Sequence, residues 1–270
     1  MKKFTGAALL EALERGAVRV AERASDGNWT IHAWIREELL ALFRSSEIIA
    51  QGLEQREVAG DQPSAFRDKS AFPVRRFGAI DGVRIVPGGS AVRRGAYLAP
   101  GVVCMPPMYI NVGAHVGTGT LIDSHALVGS CAQIGEHVHL SAAAQVGGVL
   151  EPANARPVII EDECFIGGNT GLYEGVLLRR GAVIAAGVVL TASTPVFDLV
   201  NHCELRGTRE HPLEIPERAV LVPGTRPVGG AWGSARGLHA ACALIVKYRD
   251  EKTDRATALE SALREGLVGG

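Results

Sequence analysis

Ile110-Asn-Val-Gly-Ala-His-Val116-Gly-Thr-Gly-Thr-Leu-Ile122-Asp-Ser-His-Ala-Leu-Val128-Gly-Ser-Cys-Ala-Gln-Ile134 places an aliphatic residue at every sixth position. The beat extends outward in both directions, from Val86 through Val92, Leu98 and Cys104 to Leu140 and Val146. Four places after each aliphatic position stands a residue that is nearly always small or β-branched, such as Ala96, Ala114, Thr120, Ala126 and Ala144. A helix repeats near 3.6 residues and a half-buried strand at 2, so neither accounts for a period of six. That period is the signature of a parallel β-helix, in which three short strands and three turns close a triangular coil of about eighteen residues. The aliphatic residue points inward from each flat side, and the small residue fits inside the bend. One coil cannot bury its apolar residues alone, so only a stack is stable. The beat resumes at Ile160 and continues through Ile166, Leu172, Leu178, Ile184 and Leu190 to Val196. Both runs together predict about six coils.

Composition fits such a stack. Glycine is abundant, at 33 of 270 residues, as tight turns require. Aromatic residues make up only 5%, because Val, Ile, Leu and Ala build the core. A formal net charge of −1 argues against a general nucleic-acid binder or a binder of anionic membranes. Cys104, Cys131, Cys164, Cys203 and Cys242 form an odd set with no C-x-x-C spacing, so reduced core thiols in a cytoplasmic protein are expected. Met1-Lys2-Lys3-Phe4 is not followed by a sustained apolar run, so no signal peptide is expected. No uncharged stretch reaches the roughly 20 residues of a membrane span.

The flanks divide the chain further. Residues 1–84 are predicted to form a mainly helical domain, with a short hairpin around Val18 to Ile31 and a linker that includes Asp61 to Ser64 and Arg67 to Lys69. Residues 85–205 form the β-helix, interrupted by a loop at Glu151–Pro157 that is extruded from a corner. Residues 206–270 form a capping region: a glycine-rich loop from Gly224 to Gly237, an apolar strand from Leu238 to Tyr248, and a final helix from Thr253 to Leu267.

The residue after each inward aliphatic points outward, giving Asn111, Gly117, Asp123, Gly129, Gly135, Ser141 and Gly147. Asp123 is the one carboxylate in this series, and Ser141 stands one coil above it. An aspartate held on a strand can orient or deprotonate an amine nucleophile; it can also make only a local turn hydrogen bond. His115, His125, His137 and His139 lie on the coils as well. Their spacing lacks the paired ligands of hexapeptide-repeat zinc enzymes, and no metal is expected. His125, two places after Asp123, is either a second base or a solvated corner histidine.

Several strings carry a family resemblance: Val128-Gly-Ser-Cys-Ala-Gln-Ile-Gly135, His139-Leu-Ser141, Gly147-Gly-Val-Leu-Glu-Pro152, Ile159-Ile-Glu-Asp-Glu-Cys-Phe-Ile-Gly167 and Ala243-Leu-Ile-Val-Lys247. Together with Arg84-Ile-Val-Pro-Gly88, Trp29 and Trp34, they resemble the tetrahydrodipicolinate N-succinyltransferase family over nearly the whole chain. The resemblance implies a left-handed parallel β-helix, an exception to the usual right-handed crossover. It also implies a homotrimer with active sites between subunits. The implied reaction moves an acyl group from an acyl-coenzyme A, succinyl-CoA or acetyl-CoA, to the amino nitrogen of a dicarboxylic amino acid in lysine biosynthesis.

By position, the resemblance makes Asp123 the catalytic aspartate and puts Ser141, Gly167, Gly168, Ala185 and Ala186 along the pantetheine arm. It gives Asn169, Gly171 and Glu174 to the acceptor pocket. The same comparison exposes a departure. Where the family usually reads Gly-Ala-Arg-Ser-Glu-Val-Val-Glu-Gly, this chain has Gly167-Gly-Asn169-Thr-Gly171-Leu-Tyr173-Glu174-Gly175. An arginine becomes Asn169, and a glutamate becomes Gly171. Neither replacement can act as a charged recognition group, so a paralogue with another acceptor or acyl donor, as in tabtoxin biosynthesis, and an inactive trimeric scaffold stand as alternatives. A basic residue in the groove would favour the succinyl carboxylate.

Overall fold

A computed structural model describes residues 3–51, 66–152, 155–208 and 211–250. Its centre is a parallel β-helix of two-residue strands arranged in three sheets, two of six strands and one of ten whose other four strands are longer and come from the carboxy-terminal part. Each strand pairs with the strand eighteen residues on, as in His115↔Gln133, Leu121↔His139 and Leu127↔Gln145. Ile110, Val116, Ile122, Val128, Ile134, Leu140 and Val146 are all fully buried, and the beat from Ile160 to Val196 is buried equally. The hexad residues thus form one continuous core column. Truncating a fully buried aliphatic here, as in Ile134→Ala, removes about 2–5 kcal/mol.

Two register details differ from the regular beat. In the first coil Ile85, not Val86, pairs with Cys104, because Pro87-Gly88-Gly89 inserts one residue before Val92 resumes the rhythm. Across the extruded loop, Ile134 pairs with Ile160 and Val146 with Leu172, so residues 26 apart are neighbours there.

One corner of the prism is built from residues in the left-handed region: His125, Ala143, Asn169 and Gly187, at φ of 63°, 58°, 55° and 77°. Their amides climb the corner, donating to the carbonyls of Pro107, Ser124, Ala142 and Gly168. Gly167 stands beside this corner for a steric reason. A β-carbon there would lie 2.5 Å from the Ala186 nitrogen of the next coil.

The amino-terminal region contains helices Gly6–Glu14 and Ala33–Ser45, and Ala21–Arg23 pairs with Trp29–Ile31 as a hairpin. Its expected mainly helical content is diluted by a second hairpin, Ile48–Gln51 with Phe66–Lys69. Arg67–Lys69 is therefore a strand rather than a linker; backbone pairing overrides its charged composition. Asp61–Ser64 lies outside the described residues.

The region docks on one face of the coils through Ala21, Ile159 and Leu177. Two buried polar side chains fix the docking. Gln133 accepts from Arg19 Nε at 3.1 Å and donates to the Cys131 carbonyl at 2.9 Å. Glu161, 3% exposed, accepts from Trp29 Nε1 and from the Arg179 guanidinium, each at 3.0 Å.

The strand ladders run past residue 205, where the coil domain was expected to end. Glu214–Ile215 pairs with Leu177–Leu178, and Ala219–Pro227 continues the ladder from Val183–Ile184. Gly224 to Pro227 belongs to this strand and not to a glycine-rich loop. Antiparallel pairing with His239–Tyr248 holds it extended. His239–Tyr248 also pairs in parallel with Val196–Asp198, so the last coil's edge is covered by backbone rather than left open. The helix expected at Thr253–Leu267 lies outside the described residues. No helix among the described residues is long and apolar enough to cross a membrane.

Candidate active site

The outward residues that alternate along the sequence separate into three ladders, one per sheet. Asp123 shares its ladder with Ser141, Gly167 and Ala185, whose amides donate to the Leu140, Ile166, Ile184 and Leu221 carbonyls of the next strands. Gly129 and Gly147 stand with Tyr173 on a second ladder, Gly117 and Gly135 with Glu161 on a third. The glycines that neighbour Asp123 in the outward series therefore lie on other sides of the prism, and Gly167, two coils up, is the glycine on its own ladder.

Asp123 is half-buried. Its Oδ1 accepts the Ser124 amide at 2.7 Å, and among the described residues Oδ2 has no partner. The local turn bond and a free carboxylate oxygen therefore coexist in one side chain. His125 occupies the exposed left-handed corner two residues on in the same coil, its ring without a partner among the described residues. Ser141 Oγ lies 3.3 Å from His139 Nε2, and that imidazole meets Phe165 edge to face.

Strand amides on this ladder are committed to coil pairing, which removes them as oxyanion donors. The turn amides of Ala142, Gly168 and Ala186 donate to no described acceptor and border the same edge. Asp123, His125, Ser141, Gly167, Gly168, Asn169, Ala185 and Ala186 are thus gathered along one prism edge.

Gly171 and Glu174 go elsewhere. Gly171 opens the strand Gly171–Leu172 on the next flat side, and Glu174 turns the following corner at φ 54°, its carboxylate accepting the Ala192 amide at 3.1 Å. One side of the prism, roughly 15–20 Å for five or six extended residues, separates the two edges within a single chain.

At the second edge lies a cleft of about 630 Å³ lined by Gly147, Gly148, Val149, Arg156, Tyr173 and Glu174, among others. Two of its residues escaped the sequence reading. Tyr173 stands where the family string has valine, a visible signal. Arg156 sits in the extruded loop, and no periodicity points to it. Burial holds the Arg156 guanidinium below its ordinary value; Glu214 opposes this and Arg179 adds to it.

A smaller cavity of about 320 Å³ lies between the amino-terminal region and the coils, beside Arg15, Arg19, His115 and Asp162. Burial, reinforced by the Arg19 charge, lowers the pKa of His115 to about 3, and its ring stacks on Tyr97 at 4.5 Å. Cys104, Cys131 and Cys164 are buried, and burial pushes each thiol up to about 12. That is the opposite of nucleophile activation.

A stack of six-residue repeats whose outer edge carries a carboxylate with one oxygen free among the described residues, small residues and free turn amides fits the hexapeptide-repeat acyltransferase class. Sequence comparison narrows the class. The profile described as the hexapeptide repeat of succinyl-transferase matches residues 157–192, and that of the tetrahydrodipicolinate N-succinyltransferase amino-terminal region matches residues 6–44.

Among curated relatives, proteins named 2,3,4,5-tetrahydropyridine-2,6-dicarboxylate N-succinyltransferase are similar over nearly the full length. The one from Nitrobacter hamburgensis is 44% identical over 258 residues, covering 95% of this chain and 88% of that protein. The one from Bradyrhizobium diazoefficiens is 44% identical over 260 residues with the same coverage. The chain belongs to the tetrahydrodipicolinate N-succinyltransferase family.

Proposed function

We propose that the protein transfers a succinyl group from succinyl-CoA to the amino group that tetrahydrodipicolinate, a cyclic imine, bears once water has opened its ring, in the lysine and diaminopimelate pathway, or to the amine of a close relative of that acceptor. The observation that carries this reading is the free Oδ2 of Asp123 on the same ladder as Ser141, Gly167 and Ala185. An amine placed against that oxygen attacks the thioester carbonyl, so a C–N bond forms and the C–S bond breaks. The amine proton passes to Asp123, and the sulfur leaves as coenzyme A thiolate. Free amides at Ala142, Gly168 and Ala186 are the oxyanion donors that the groove offers.

The distance between the two edges within one chain supports a homotrimer in which the edge bearing Asp123 meets a neighbour's edge bearing Tyr173 and Glu174. Five free cysteines, four of them buried, support a cytoplasmic location.

A second reading keeps the donor groove and changes the acceptor or the acyl group, as in a tabtoxin-type paralogue using acetyl-CoA. Tyr173 and Gly171, in place of valine and glutamate, favour it. Coenzyme A release measured with succinyl-CoA and acetyl-CoA against tetrahydrodipicolinate separates the readings. Succinyl preference with this acceptor supports the first, and acetyl preference the second. Binding of both donors without turnover on any lysine-pathway amine leaves only a scaffold.

A further inference from the structure

The cleft at the second edge has the chemistry of a carboxylate site. Arg156 lines it from the extruded loop and, among the described residues, makes no hydrogen bond or ion pair. Tyr173 lines it too, and among the described residues its hydroxyl has no hydrogen-bond partner. The one acid in the lining, Glu174, is held by the Ala192 amide. The lining also includes Gly147, Gly148 and Val149, which carry no charge; Glu214, outside the lining, is the acid whose charge acts on Arg156. An arginine and a phenol lining one cleft of this size suit a carboxylate on a short aliphatic chain, which a guanidinium grips through parallel N–H bonds.

We propose that Arg156 and Tyr173 form the subsite that recognises the free carboxylate of a reactant, making them the specificity-determining residues of this chain. The inference rests on the acyltransferase reading. It also gives a physical sense to Asn169: the corner there is left without a cation, while the cleft one strand further on supplies one. The carboxylate can come from either reactant, as the succinyl tail of the donor or as an acid group of the acceptor, and the experiment separates them.

Calorimetry on the intact assembly measures binding of pimelate, a dicarboxylate resembling the acceptor, and of succinyl-CoA and acetyl-CoA. It uses the wild type, Arg156→Gln and Tyr173→Phe, with circular dichroism to confirm folding. Arg156→Gln is expected to weaken at least one carboxylate-bearing probe tenfold or more, and Tyr173→Phe to weaken the same probe a few-fold. Acetyl-CoA binding stays unchanged in both. Loss confined to pimelate assigns the cleft to the acceptor; loss confined to succinyl-CoA assigns it to the donor.

Arg156→Lys, which retains charge without the fork, recovers part of the loss. Equal binding of pimelate and succinyl-CoA by wild type and Arg156→Gln overturns the proposal, as does failure of the wild type to bind either. A wild type that binds a probe through Arg156 yet turns over no amine overturns the acyltransferase reading and leaves the subsite standing.

Discussion

Tyr173 lays its ring across Gly171: a β-carbon on Gly171 would stand 2.5 Å from Tyr173 Cε2 and 3.1 Å from its hydroxyl oxygen. The same ring would lie 2.7 Å from a β-carbon on Gly147, one coil below. The two glycines and the tyrosine are therefore one steric unit, and the family's glutamate at position 171 cannot be restored without moving the ring.

Gly171→Glu alone is expected to overpack this site and destabilise the protein by about 1–3 kcal/mol. Adding Tyr173→Val removes the obstruction and should recover most of that loss. The two changes are then strongly non-additive in urea melts, by 0.5 kcal/mol or more. With the ring gone, the double variant should also gain activity on tetrahydrodipicolinate over the single one; additive stabilities would show that the ring yields freely.

Asp123→Asn keeps the shape and the bond to Ser124 within reach but cannot take a proton. Transfer is expected to drop by at least about 100-fold in kcat, the low end of general-base contributions. Light scattering should show the oligomer unchanged. Wild-type coenzyme A release by this variant would remove Asp123 from the chemistry.

Glu161 is the buried acid to which Trp29, Arg179 and Arg23 converge, Arg23 at 3.5 Å. Glu161→Ala leaves the Trp29 indole N–H without its acceptor, while Arg179 keeps Glu214 and the Gly27 carbonyl, and should destabilise by about 1–3 kcal/mol, the cost of an unsatisfied buried donor. Trp29 fluorescence should shift to the red if the amino-terminal hairpin loosens from the coils. Melting equal to that of the wild type would mean that apolar contact alone holds the hairpin.

His115 links stability to pH. Its pKa is about 3 in the fold against 6.5 when free, so below pH 6.5 the unfolded chain takes up a proton that the folded one refuses. Stability from this group is whole above pH 6.5 and falls as the pH drops toward 3, by at most about 1.4 kcal/mol per unit. His115→Phe retains a ring to stack on Tyr97 and should flatten the difference between urea melts at pH 7 and pH 5. An unaltered slope would show that other groups dominate that range.

Much of the architecture is legible in the hexads because each inward position is dictated by one local rule: an aliphatic side chain every sixth residue with a small one in the bend. Asp123 and Ser141 could be stacked by counting eighteen, the hairpin ending at Ile31 follows from the turn residues Asp26-Gly27-Asn28, and the long strand ending at Tyr248 from an apolar run. Counting fails where chain length between strands is not fixed by the repeat. The insertion at Pro87-Gly88-Gly89 moves the first inward position to Ile85, and Phe66–Lys69 is a strand only because Ile48–Gln51 lies beside it.

The hexad period by itself determined the coil, its core and the row of outward positions from which a site could be drawn, since burial of aliphatic side chains depends only on where they recur. Which outward residues share an edge was decided by tertiary structure, through the point at which the chain re-enters the stack after the extruded loop. That re-entry puts Gly167 above Ser141. It also brings Arg156, from an aperiodic segment, to the same cleft as Tyr173, a proximity set by backbone pairing between coils and by no local preference of either residue.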